Sequence, residues 1–223
     1  MSETPHIVSD VMTRTVVAVG RDAPFKEMVQ TLRQWRVSAM PVLEGEGRVI
    51  GVVSEADLLP KEELRDSDPG RFEQLRRLPD LAKARAVTAE ELMSSPAVSV
   101  HTDATLAEAA RIMAVRGVKR LPVVDGEGML LGIVSRADLL KVFLRPDEDI
   151  EEEVRRTVVA YLFPGDSGIH VGVDEGVVTL SGQLRDTAPI PVAARLARAV
   201  EGVVDVECHF RGVGRGETTA GTF

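Results

Sequence analysis

The chain has 223 residues, a formal net charge of −8 and only 4% aromatic residues. That length holds two or more small domains, and the acidity disfavours both a nucleic-acid partner and a generally basic membrane-binding surface. Cys208 is the single cysteine, which excludes an internal disulfide and a cysteine-built zinc site. The opening "MSETPHIVSD" has no basic region followed by an apolar run, so no secretory signal is expected and a reducing, cytoplasmic location is.

Along the chain, "TVVAV" (15–19) predicts a short strand, followed by a turn at Asp22. Phe25, Met28, Val29 and Leu32 then recur at helical spacing. "MPVLEGEGRVIGVVS" (40–54) reads as strand, Gly-rich hairpin, strand, with a helix opening at Ser54. The same order returns later. "AVSV" (97–100) leads to Asp103, then to a helix carrying Leu106, Ala109, Ala110 and Met113. "LPVVDGEGMLLGIVS" (121–135) is the second hairpin, and Ser135 opens the second helix. Met12 and Met93, Pro41 and Pro122, Gly51 and Gly132, Asp57 and Asp138 are all 81 residues apart. One gapless register from Asp10 to Leu59 is an internal duplication of a β-α-β-β-α unit. A unit of this size buries too little surface alone, so the copies are expected to pack together as a pseudo-twofold module. The assignment is 8–59 for the first repeat and 88–145 for the second. Residues 60–87, nearly half of them charged, form a helical connector broken at Pro69-Gly70.

"GVVSEADLL" (51–59) and "GIVSRADLL" (132–140) carry the Ser-x-x-Asp of a capping box, in which serine and aspartate satisfy each other's backbone N–H groups. That alone explains the spacing. The same geometry also serves a ligand. A strand ending at a helix N-terminus offers free N–H groups to an anion, and a carboxylate one turn along can accept both hydroxyls of a ribose.

The blocks "DVMT…VSAMPV…GVVSEADLL" and "ELMS…VKRLPV…GIVSRADLL" resemble a tandem pair of CBS domains, a Bateman module. The resemblance covers about residues 8–143. It implies an α/β fold of two packed β-α-β-β-α repeats, and binding of AMP, ADP or ATP, with S-adenosylmethionine, NAD or metal ions in some members. It places Asp57 and Asp138 on the ribose, and Ser54 and Ser135 on phosphate. Val37, Ser38 and Ala39, and in the second repeat Val118, Lys119 and Arg120, would line the adenine and phosphate region. The second repeat thus gathers Lys119, Arg120 and Arg136, where the first has Ser38, Ala39 and Glu55. Charge-assisted contacts are the strong ones to phosphate, so the second motif is the better suited to a phosphorylated ligand. Because the repeats pack together, a base from one can serve the other's cleft. A homodimer of pairs is the usual arrangement in the resembled family.

After "RPDED" the pattern changes. "EEEVRRTVVAYL" (151–162) puts Val154, Val158 and Leu162 on one helical face. "IHVGVDEGVVTLSG" (169–182) alternates as a hairpin about Glu175-Gly176, with Ile169, Val171 and Val173 followed by Val178 and Leu180. "IPVAARLARAV" (190–200) is a second amphipathic helix. "GVVDVECHF" (202–210) is a last strand with Val204, Val206, Cys208 and Phe210 on one face. Cys208 reads as core; His170 and His209 read as surface, with no ligand partner at metal spacing. "VDEGVVTLSGQL" and "EGVVDVECHF" resemble a BON domain, covering 147–213. That resemblance implies a small α/β domain that binds a phospholipid surface or another hydrophobic ligand; two helices on a small sheet also read as a module that docks a protein partner. Residues 214–223 are polar, Gly/Thr-rich and expected to be disordered.

No Walker-type loop, metal-binding His pair or nucleophile elbow is present, so no enzyme activity and no metal are expected. The expected function is ligand sensing: an adenosine nucleotide occupies the CBS cleft and its occupancy reaches the BON domain or a dimer interface. The alternative is an interaction or structural protein with empty clefts.

Overall fold

The computed structural model describes residues 6–63, 83, 85–164, 168–184 and 186–212. Most of the connector expected at 60–87, and the tail at 214–223, lie outside the described residues. The rest falls into two compact units, His6–Leu139 and the segment from Leu140 onward.

In the first unit, strands β1 (Val19–Gly20), β2 (Ala39–Glu44) and β3 (Arg48–Ser54) form one sheet. Strands β4 (Val100–His101), β5 (Arg120–Val124) and β6 (Leu130–Ser135) form another. In each, the first pair is parallel and the second antiparallel. The crossover helices are Phe25–Trp35 and Leu106–Arg116. Met28 and Leu32 are buried from the first, Ala109 and Met113 from the second. Val29 and its counterpart Ala110 face outward instead. One step along a helix turns a side chain by about 100°, and a single three-stranded sheet covers only a narrow stripe. The first helix ends on Arg36 and the second on Gly117, both left-handed, at φ 53° and 67°.

The repeats exchange their leading segments. A one-turn helix at Val8–Val11 lies on the second repeat, where Val8 N donates to Ala104 O at 2.9 Å. Its counterpart Ala89–Leu92 lies on the first, where Ala89 N donates to Ala23 O at 3.0 Å. Thr13 and Ile133 exchange two backbone hydrogen bonds of 2.9 Å, and Ser94 and Val52 exchange two of 2.9 and 3.1 Å. At the hairpin tips, Val49 N donates to Gly128 O and Leu130 N to Gly47 O, each at 3.0 Å. Each bond maps onto its mate when 81 is added to one partner and subtracted from the other. This is the pseudo-twofold expected from the duplication, and it is built from shared backbone pairing as well as from side-chain contact. Two glycines make the exchange sterically feasible. A Cβ on Gly51 would lie 2.3 Å from Met93 Sδ, and one on Gly132 would lie 2.7 Å from Met12 Sδ.

In the second unit, β7 (Ile169–Asp174) pairs antiparallel with β8 (Val177–Leu184), and β8 pairs parallel with β9 (Asp205–Gly212). Ile150, Val154 and Val158 from the first helix and Ala193 and Ala197 from the helix Ile190–Arg198 join Val171, Val178, Leu180 and Val206 in one core. The first helix starts at Asp147, earlier than the apolar stripe indicated, and runs through a π turn at Arg155–Val159 to Leu162. Its opening residues Asp147, Glu148 and Asp149 are acidic, which suits the positive end of a helix. Asp147 also holds the β7–β8 turn: Glu175 N donates to Oδ2 at 2.8 Å and Gly176 N to Oδ1 at 2.9 Å. Asp147→Ala is expected to cost about 1–2 kcal/mol, since bonds to a charged acceptor run about 1.5–3 kcal/mol before solvent screening. A urea melt with an unchanged midpoint would show that the turn holds itself.

Val204 departs from the expected face. It precedes β9 and is 62% exposed, while Val206 is buried and Cys208 and Phe210 are half-buried against the core. Burial pushes the Cys208 thiol above its ordinary value, which leaves little thiolate at neutral pH. His170 and His209 are exposed, but His209 does have a carboxylate in reach, Glu207 at 3.2 Å. No helix among the described residues is long and apolar enough to cross a membrane.

Candidate ligand-binding site

The end of each antiparallel pair brings the expected residues together. Ala39 stands opposite Ser54 in the first sheet, and Arg120 opposite Ser135 in the second. Glu55 N donates to Ser38 O at 3.0 Å and Arg136 N to Lys119 O at 3.1 Å, so the pairing runs one step past each strand. Ser54 and Ser135 therefore sit beside the segments 37–39 and 118–120 for the same backbone reason. Val37 and Val118 are half-buried, Ser38 and Lys119 exposed, and Ala39 buried.

Each serine and aspartate forms the expected cap. Asp57 Oδ2 accepts from Ser54 N at 2.8 Å and Ser54 Oγ at 2.6 Å. Asp138 Oδ2 accepts from Ser135 N at 2.9 Å and Ser135 Oγ at 2.6 Å, and Asp138 N donates to Ser135 Oγ at 3.3 Å. The helices so capped begin at Glu55–Leu58, which continues through the helical residue Leu59 into Pro60–Glu63, and at Arg136–Leu139. The cationic side chains nearby would supply the charge-assisted contacts to a phosphate.

Those cations are divided between the repeats. Arg120 reaches across to the first repeat, where Nη2 donates to Ser38 Oγ at 2.7 Å and Nη1 to Ala39 O at 3.3 Å. Arg136 folds back within its own repeat and donates to Val118 O at 3.0 Å. Lys119 is exposed beside Ser135.

The two aspartates also differ. Asp57 is buried, at 8% exposed, and its Oδ1 is ion-paired with Lys83. Ser94 Oγ, on the segment contributed by the second repeat, is 3.5 Å from the same oxygen. Asp138 is half-buried. Lys83 and Ser94 were not apparent as site residues from sequence. Ser94 was findable through the register, as the counterpart of Thr13 beside Met12. Lys83 had no signal, being one cation among many in the connector.

An open recess of about 470 Å³, lined by Arg21, Asp22, Glu27 and Glu44, contains none of the expected site residues. Arg21 there is ion-paired with Glu44 and Glu90, which raises its pKa, chiefly through Glu90, and ties the two repeats together. No metal-holding group of three or more His, Cys, Asp or Glu side chains occurs among the described residues.

This strand-end arrangement, repeated under a pseudo-twofold, has clear relatives. Residues 8–61 and 89–145 match the CBS domain model, and 146–213 match the BON domain model. The chain belongs to the CBS-domain family. Its CBS pair is similar to protein MJ1426 of Methanocaldococcus jannaschii, 30% identical over 155 residues, covering 62% of this chain and 91% of that one. It is also similar to the chloroplastic CBS domain-containing protein CBSX2 of Arabidopsis thaliana, 26% identical, covering 66% of this chain and 67% of that one. The solved structure of CBSX2 in complex with AMP superposes with a TM-score of 0.55 at 26% identity, covering 62% of this chain and 97% of that chain. These likenesses lie in the CBS pair.

Proposed function

We propose that the CBS pair is a sensor for an adenosine nucleotide, AMP, ADP or ATP, and that it acts without catalysis in the cytoplasm. The observation that carries the reading is the second cleft. Ser135 and Asp138 stand at a strand end with Lys119 exposed beside them and Arg136 folded back in the same repeat, while Arg120 reaches from the same strand to Ser38 and Ala39 of the first repeat. A ribose diol suits the aspartate, and phosphate suits the cations. CBSX2, which shares the fold, is described in complex with AMP. Occupancy would reach the BON domain or a dimer interface only through a difference in ligand affinity between two states. A homodimer through the CBS pair and a protein or lipid partner for the BON domain belong to this proposal.

One observation favours an interaction protein with empty clefts. Both Ser-x-x-Asp pairs already satisfy their own helix ends, so the motif has a complete structural role without ligand. Isothermal titration of the full chain with AMP, ATP, NAD and S-adenosylmethionine separates the two. Saturable heat with AMP or ATP is expected, and silence with all four sinks the sensing reading.

A further inference from the structure

Arg120 belongs to one cleft by its backbone and to the other by its side chain. It opens β5 opposite Ser135 of the second cleft. Its side chain crosses to the first repeat, where Nη2 donates to Ser38 Oγ at 2.7 Å and Nη1 to Ala39 O at 3.3 Å. Those two residues border the first cleft: Ala39 stands opposite Ser54, and Ser38 O accepts from Glu55 N at 3.0 Å.

The crossing runs one way. Ser38 and Ala39 fall well inside the duplicated register, which sets them against Lys119 and Arg120. Alanine has no group to send back, so at this position the pair has one arginine for two clefts. A guanidinium is a rigid planar fork that grips a phosphate through two parallel N–H groups. Here the fork is held at the border of the first cleft. A phosphate at Ser135 draws on it only after both bonds to the first repeat are broken.

We propose that the two clefts compete for Arg120, so that a nucleotide in either one weakens binding in the other. This rests on the nucleotide reading above. A phosphate in the first cleft meets the arginine where it already stands and fixes it there. A phosphate in the second pulls it back across the pseudo-twofold and takes it from the first. The penalty is the same in both directions, as linkage requires. Ser38 is then a positioning residue, acting through the arginine it holds. A chain built in this way answers over a wider span of nucleotide concentration than two independent clefts of the same affinities.

The test is calorimetric titration of the full chain with AMP. Asp57→Ala impairs the first cleft and reports the second alone; Asp138→Ala impairs the second and reports the first alone. Without coupling, the product of the two stepwise association constants of the wild type equals the product of these single-cleft constants. It is expected to fall short by about tenfold, the scale of one charge-assisted contact. Arg120→Ala, placed in all three chains, is expected to weaken each step and to bring the two products together. Arg120→Met keeps an apolar stem and serves if the alanine variant melts early. Ser38→Ala in the Asp57→Ala chain releases the guanidinium and is expected to tighten AMP binding by about threefold, the opposite sign to the loss of a ligand contact. Equal products, or a wild-type product above the single-cleft one, overturn the proposal. So does a shortfall that survives Arg120→Ala, unchanged or weaker binding on removing the Ser38 hydroxyl, or a first cleft that takes no AMP. In all of those cases the AMP that does bind leaves the nucleotide reading standing. Silence from wild type and every variant overturns that reading, and this inference with it.

Discussion

Asp138→Ala is expected to weaken AMP binding by about tenfold to a hundredfold. The figure follows from the loss of hydrogen bonds to a charged acceptor, about 1.5–3 kcal/mol, at about 1.4 kcal/mol per decade of affinity. The loss should shrink for 2′- or 3′-deoxy analogues, which lack the diol that the carboxylate would hold. The same substitution removes the cap on Ser135 N and Oγ, so a fall in stability of about 1 kcal/mol is expected beside the binding change. Asp57→Ala should behave in the opposite proportion. If the first cleft, with Glu55 in place of the second's Arg136, is the weaker binder, the substitution should affect total AMP binding less. It should cost more stability, because it leaves the shielded Lys83 ammonium without its partner. Equal affinities for wild type and Asp138→Ala, with only the melting point lowered, would reduce the motif to a helix cap.

Gly51→Ala is expected to destabilise the CBS pair by about 1–3 kcal/mol, the usual cost of an overpacked site. The new methyl would meet Met93 Sδ at 2.3 Å, Cγ at 2.8 Å and Cβ at 3.0 Å. Sδ and Cγ lie beyond Cβ, so Met93→Ala removes the two closest obstacles, leaves Cβ at 3.0 Å and should recover part of the loss. The double mutant would then be more stable than the sum of the singles predicts. The mirror experiment should be less forgiving. At Gly132 the obstacles are Met12 Sδ at 2.7 Å and the backbone oxygen of Thr13 at 3.0 Å. Truncating Met12 cannot move a carbonyl. Chemical denaturation of the four single variants and two doubles measures both couplings, and additive losses would show that the segments are not packed as described.

The duplication was legible because backbone pairing repeats with residue type. The offset joining Pro41 to Pro122 and Gly51 to Gly132 reappears in the strand registers and the exchanged hydrogen bonds. The location of Ser54 and Ser135 followed, since a strand-to-helix junction leaves a mark in apolar spacing. The exchange itself left no such mark, because it is made of amide and carbonyl groups that every residue carries. The early start of the helix at Asp147 was hidden because acidic residues at a helix N-terminus interrupt the apolar stripe without ending the helix. Val204 misled for a related reason: it shares the parity of Val206 but stands before the strand begins. Lys83 was invisible in principle, since its partner is reached through tertiary placement and not through any local pattern.

The exchange of leading segments also sets an order of events during synthesis. Residues 7–13 pair with Thr102, Ala104, Thr105 and Ile133 and pack Met12 against Gly132. A ribosome working at about 5–20 residues per second leaves that stretch waiting on the order of ten seconds for its berth to be made. Contacts so distant in the chain slow folding, and during the wait the apolar side chains of Val8 and Met12, buried in the finished protein, are uncovered. A nascent chain carrying only the first repeat is therefore unfinished at both ends. It lacks a place for its own first turn, and it lacks the Ala89–Leu92 turn that closes its sheet. The geometry that makes one chain a symmetric pair therefore leaves each half-made chain with a berth still to be filled.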